Sequence, residues 1–148
     1  MADKFKFELQ DILDFRNFEK EQAEAELAKA LAVETDINNK LGIIAAQFVS
    51  VKKQIDGMTN FEEIAAANTH KKFLDFQKEE LLNQLAQAKL VSEEKRKILA
   101  EIMKKTTALE KLREKDETVY NEEQNRKENE FIDDLSNARA SNGKHFHQ

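Results

Sequence analysis

Between Ala23 and Met58, residues recur at alternating steps of four and three along one line: Ala23, Leu27, Ala30, Glu34, Ile37, Leu41, Ile44, Phe48, Val51, Ile55 and Met58. From Ile37 onward every position on it is large and apolar. A 3.5-residue period is the mark of a helix whose narrow apolar seam faces another helix. Upstream, Phe5, Leu9 and Ile12 keep the spacing, but Arg16 and Glu19 fall on it and Leu13, Phe15 and Phe18 lie off it. Such a slip of phase resembles a stutter. A second, looser stripe runs through Ile64, Phe73, Leu74, Leu81, Leu85, Ala88, Val91, Ile98, Ile102, Leu109 and Leu112, with Lys95 and Lys105 intruding. Beyond Leu112 apolar residues nearly vanish until a short patch of Phe131, Ile132 and Leu135.

The two stripes are separated by "QIDGMTNFEE", residues 54–63. Gly57 suits a left-handed residue that stops a helix. Asn60 followed by Glu63 has the spacing of a capping box that starts one, with Thr59 as the alternative cap. A stop and a start this close predict a tight turn between antiparallel helices. Gly42 has no such signals beside it. The expected fold is therefore all-α: one long antiparallel two-helix coiled-coil hairpin with a longer, protruding C-terminal helix. Its expected bounds are a single hairpin over residues 1–140, with helices at about 4–56 and 61–139, a turn at 57–60, and a flexible tail at 141–148. Folding at the turn is expected to bring Ile44 to Leu74, Ile37 to Leu81, Leu27 to Val91 and Leu9 to Leu109, with both chain ends at one tip.

Composition sharpens this picture. The 148 residues include no proline, tryptophan or cysteine and only three glycines, 36% are charged, and mean hydropathy is −0.73. Scarcity of both helix breakers favours long helices, and so little apolar material is most readily buried in a narrow stripe. No apolar run is long enough to span a bilayer, and "MADKFKFELQ" lacks a secretory core. The net charge of −5 is spread evenly, with no one-sided excess of Lys and Arg, so no nucleic-acid partner is expected.

Catalytic chemistry is also not expected. There is no phosphate-binding glycine loop and no cysteine nucleophile, and the carboxylates fall on solvated helix faces. His145 and His147 are two residues apart in the tail, and His70 stands alone. No catalytic residue, metal site or cofactor is assigned.

Two segments carry a family resemblance: "FKFELQDILDFRNFEKEQAEAELAKAL" near the start and "LEKLREKDETVYNEEQNRKENEFIDDLSNAR" near the end. In that order, with a hairpin between them, they resemble the FliJ family of the flagellar type III protein export apparatus. The resemblance implies a non-enzymatic, cytoplasmic coiled-coil stalk at the cytoplasmic face of the inner membrane. Such a stalk inserts into the hexameric flagellar export ATPase, promotes its assembly or activity, and links it to the membrane export gate. Export chaperones are further implied partners, and no direct membrane insertion is implied. A general coiled-coil scaffold, or an export chaperone or holdase, is the alternative reading.

On that resemblance the ATPase-binding tip comprises Phe5, Phe7, Leu9, Leu13, Arg16, Glu19, Leu112, Lys115, Tyr120, Glu128, Asp133, Leu135 and Arg139. Tyr120 is expected to stand exposed where its partner helix has run out. The export-gate contact falls on Phe73, Phe76, Gln77, Glu80 and Gln84.

Overall fold

The computed structural model describes residues 4–146. It contains two helices packed on each other as a hairpin, α1 (Gln10–Asp56) and the longer α2 (Phe61–Phe146), with no strand among the described residues. Neither helix contains a proline, so neither loses an internal backbone hydrogen bond to one.

The helix bounds differ from expectation at both ends. α1 starts at Gln10, because residues 4–7 are extended and residues 8–9 form a turn. In an extended segment alternate side chains share a face. Phe5 and Phe7 are thereby turned inward, half-buried and buried respectively, while Lys4 and Lys6 are exposed. The entry to α1 is held by the Gln10 amide donating to the Phe7 carbonyl at 3.0 Å and the Leu13 amide donating to the Leu9 carbonyl at 2.9 Å. At the other end α2 continues through "SNG" to Phe146. A helical glycine costs only about 1 kcal/mol, and no proline follows to stop the helix. Of the tail expected to be flexible, His147 and Gln148 lie outside the described residues.

The turn keeps the expected Asn60 cap but not the expected glycine stop. Among the described residues no glycine takes a positive φ, so Gly57 is not a left-handed stop. Instead α1 tightens into three-residue steps, with the Gly57 amide donating to the Gln54 carbonyl at 3.2 Å and the Met58 amide to the Ile55 carbonyl at 3.0 Å. Asn60 is the cap of α2. Its side-chain oxygen accepts from the Glu62 amide at 2.8 Å and its carbonyl accepts from the Ile64 amide at 3.1 Å.

Packing divides the chain into two units. The first to consider, Glu19–Ile102, contains the turn. Here every position of the first stripe, from Ala23 to Met58, is buried or half-buried. The α2 stripe is more regular than the apolar residues suggest: Ile64, Ala67, Lys71, Leu74, Gln77, Leu81, Leu85, Ala88, Ser92, Lys95, Leu99 and Ile102 are the buried or half-buried positions. Leu74 is the best-covered large side chain, 1% exposed. Phe73, Val91 and Ile98 are exposed instead, and the residue after each holds the seat. Period decides seam position, so a small Ser92 in phase is buried while a larger Val91 one residue out of phase is not.

In this unit the Ser92 hydroxyl donates to the Glu34 carboxylate. The expected register would have placed residue 83 or 84 opposite Glu34.

The second unit comprises residues up to Phe18 with those from Met103 onward. Phe7 and Leu13 are buried, Phe5 and Leu9 are half-buried, and α2 meets them with Thr106, Leu109, Arg113, Glu117 and Tyr120. Leu112 is exposed and Arg113 holds its seat. From Asn125 to Asn142 every side chain is exposed.

Candidate partner-binding surfaces

The N-terminal residues expected at a binding tip are mostly engaged within the chain. The Phe5 ring packs on Tyr120, with centroids 5.6 Å apart and planes tilted by 48°. The Arg113 guanidinium lies 5.6 Å from the same Phe5 ring, donates through Nε to Gln10 at 3.0 Å, and pairs with Glu117 at 3.3 Å. Phe5, Phe7, Leu9 and Leu13 thus form the small core of this unit. Tyr120 corrects the expectation of an exposed aromatic: its ring is half-buried under Phe5, and its hydroxyl is buried without a hydrogen-bond partner. The extended strap of residues 4–7 covers it, which a helical N-terminus would not have done.

Arg16 is half-buried with its guanidinium 6.0 Å from the Phe15 ring, and Glu19 is half-buried in the other unit. Phe15 and Phe18 are 57% and 56% exposed, on the side of α1 away from buried Leu13. Of the remaining tip residues, Leu112, Lys115, Glu128, Asp133, Leu135 and Arg139 are exposed on α2.

The open part of α2 has its own order. Gln124 continues the seam after Tyr120, and seven residues on the same seat is Phe131, followed by Leu135 one turn later. Phe131 is 64% exposed, and Ile132 and Leu135 are about half exposed. The apolar face of the helix therefore runs on after the cover given by the described residues has ended. Phe131 and Ile132 were not among the assigned tip residues, although their helical spacing with Leu135 inside an acidic stretch was a usable signal. Just before this patch Arg126 is held on both sides, by Glu123 at 2.5 Å and Glu130 at 2.6 Å. The Arg126 hydrogen bond holds the Glu123 carboxyl below its usual range, and the Glu123 hydrogen bond raises the Arg126 guanidinium.

The residues expected at the gate contact separate into two sets. Gln77, Glu80 and Gln84 line one groove of about 370 Å³ with Leu81 and with Lys40, Ile43, Ile44 and Gln47 of α1. Phe73 and Phe76 are exposed but are not part of its lining. The α1 half of this groove was not foreseen, since only the paired helices bring Ile43 and Gln47 to it. Among the described residues no three acidic, His or Cys side chains gather as metal ligands, and no helix is long and apolar enough to cross a membrane. His147 lies outside the described residues.

Comparison with curated proteins and with solved structures gave no match. Comparison with protein families matched the one described as flagellar FliJ protein over residues 5–145, nearly the whole chain, including both helices and the extended strap. The chain belongs to the FliJ family, a family of the flagellar protein export apparatus.

Proposed function

We propose that this protein is the non-enzymatic stalk of the flagellar export apparatus, a cytoplasmic component that engages the hexameric export ATPase through the open end of α2 and promotes its assembly or activity. One observation carries the reading. Phe131 and Leu135, with Ile132 beside them, form an apolar face left exposed by the described residues, and the first two continue the phase of a seam that is covered up to Tyr120. Burying one such side chain fully is worth about 1.5–3 kcal/mol, so a partner that covers all three gains substantially. Leu112, Lys115, Glu128, Asp133 and Arg139 lie exposed on the same helix and complete the contact. Phe5, Phe7, Leu9, Leu13 and Tyr120 support the site by fixing α2 beneath it and do not touch the ATPase.

The link to the membrane export gate is assigned to the groove of Gln77, Glu80 and Gln84 with Ile43 and Gln47, and to exposed Phe73 beside it. Its mixed apolar floor and amide walls suit a polar protein surface rather than lipid. The protein works there at the inner face of the membrane without entering it.

Binding of the flagellar export ATPase to this protein, compared with Phe131→Asp and Leu135→Asp variants, tests the reading. Affinity is expected to fall at least about tenfold for each variant, the size of a lost interface anchor. Helicity is expected to stay unchanged, since both sites are exposed. Unchanged affinity in both variants contradicts the assignment.

A further inference from the structure

We propose that the groove on the other flank of the central seam, between Leu41–Val49 of α1 and Leu74–Leu82 of α2, docks an acidic amphipathic helix from a partner chain. The two grooves at this level share Ile44 and differ in chemistry. The flank assigned above to the gate is walled by Gln47, Gln77, Glu80 and Gln84. The opposite groove, about 440 Å³, is lined by Leu41, Ala45, Phe48, Val49, Leu74 and Leu82, with only Asp75 and Lys78 as charged members. Val49 is 53% and Leu82 39% exposed, so its apolar walls are open. A helix laid into such a trough presents apolar side chains at i, i+3, i+4 and i+7, and completes a three-helix packing.

Charge selects the partner. The protein as a whole is acidic, with net charge −5, yet this groove has a lysine rim. Lys78 is part of the lining and makes no ion pair among the described residues. Lys71 holds its ammonium 5.2 Å from the Phe48 ring. Lys52, one turn beyond Phe48 on α1, is exposed. Only Asp75 opposes them in the groove. An acidic flank on the incoming helix matches this rim, and a basic one is repelled.

Gly42 adds an independent observation. It sits in the middle of α1, where glycine weakens a helix. A Cβ built on it meets nothing within 4 Å, so the hairpin itself has room for a side chain there. Gly42 lies one turn from Ala45 and two from Val49 on the groove side of α1. Close approach of a partner backbone gives the missing side chain a reason that intramolecular packing does not.

The test uses the whole protein and two fluorescent synthetic helices of about 20 residues with the same leucine stripe, one flanked by glutamates and one by lysines. The acidic helix is expected to bind about tenfold or more tightly than the basic one, and salt to weaken it. Val49→Asp and Leu82→Asp are each expected to abolish binding, and Lys78→Glu to remove the preference between the helices. Gly42→Leu is expected to weaken binding about tenfold while the protein melts at the same or a higher temperature. Equal binding of both helices, binding of neither, or affinity indifferent to Val49→Asp and Gly42→Leu overturns the proposal. So does concentration-dependent self-association that Leu82→Asp removes, since the occupant is then a second copy of this chain. ATPase binding through Phe131 and Leu135 is measured separately, and neither result depends on the other.

Discussion

Around Leu74, α2 is held by packing: that side chain is 1% exposed, and the residues on its seam every three or four positions are covered. From Asn125 to Asn142 the same helix has no covered side chain. The first stretch is helical because an apolar stripe is buried. The second has only local support, chiefly the Glu123–Arg126–Glu130 pairs, each worth a few tenths of a kcal/mol. In proteins, helices draw most of their stability from packing of one face. The open helix still carries Phe131 and Leu135 in phase with the seam, with Ile132 beside them, and on that exposed face the proposed partner contact rests.

Substitutions that exchange the roles of the two stretches break this comparison most sharply. Leu74→Ala is expected to cost about 2–5 kcal/mol in chemical denaturation, because it opens a cavity in a filled seam. Leu135→Ala is expected to change stability by less than about 0.5 kcal/mol, as exposed substitutions do. Equal costs would show that the two stretches are packed alike.

Asn60→Ala is expected to cost about 1 kcal/mol by leaving the Glu62 amide without its cap. Its effect belongs to the hairpin, so amide exchange at the start of α2 should quicken while residues beyond Asn125 stay as they were. Tyr120→Phe removes a buried hydroxyl that has no partner. It is expected to be neutral or stabilising by up to about 1 kcal/mol; a clear loss of stability would mean the hydroxyl is bonded.

The smallest effect concerns pH. Glu123 is held below its usual range by Arg126, so its support for the open helix is present above the unfolded carboxylate pKa, about 4.3. That support is lost as the pH falls through the lower folded value. Circular dichroism of the intact protein and of Arg126→Ala should differ slightly at neutral pH and converge in acid. A difference that persists in acid would assign the support to something other than the pair.

Much of this was legible in the sequence because it rests on period. The stripe from Ala23 to Met58 is covered throughout, and Asn60 caps α2. What was not legible depended on geometry between segments. The seats of Ser92 and Thr106 follow from phase and not from size, and both are buried. Ser92 and not residue 83 or 84 meets Glu34, and which residues a four-residue turn brings level cannot be read from their identities. The cover of Tyr120 is not legible for the same reason, since it is not α1 but an extended strap with alternating Phe5 and Phe7. The Gln77 groove was seen from one side only, because half of its wall comes from α1.

The central claim is that the open end of α2 is the part of this protein that works on a partner ATPase. The most direct measurement is ATP turnover by the flagellar export ATPase, titrated with the intact chain and with a chain ending at Gln124, which keeps the strap, the seam and the turn. Stimulation by the intact chain that the shortened chain fails to give is the predicted result. Equal stimulation by both chains, or a flat response to both from an active ATPase, would contradict it.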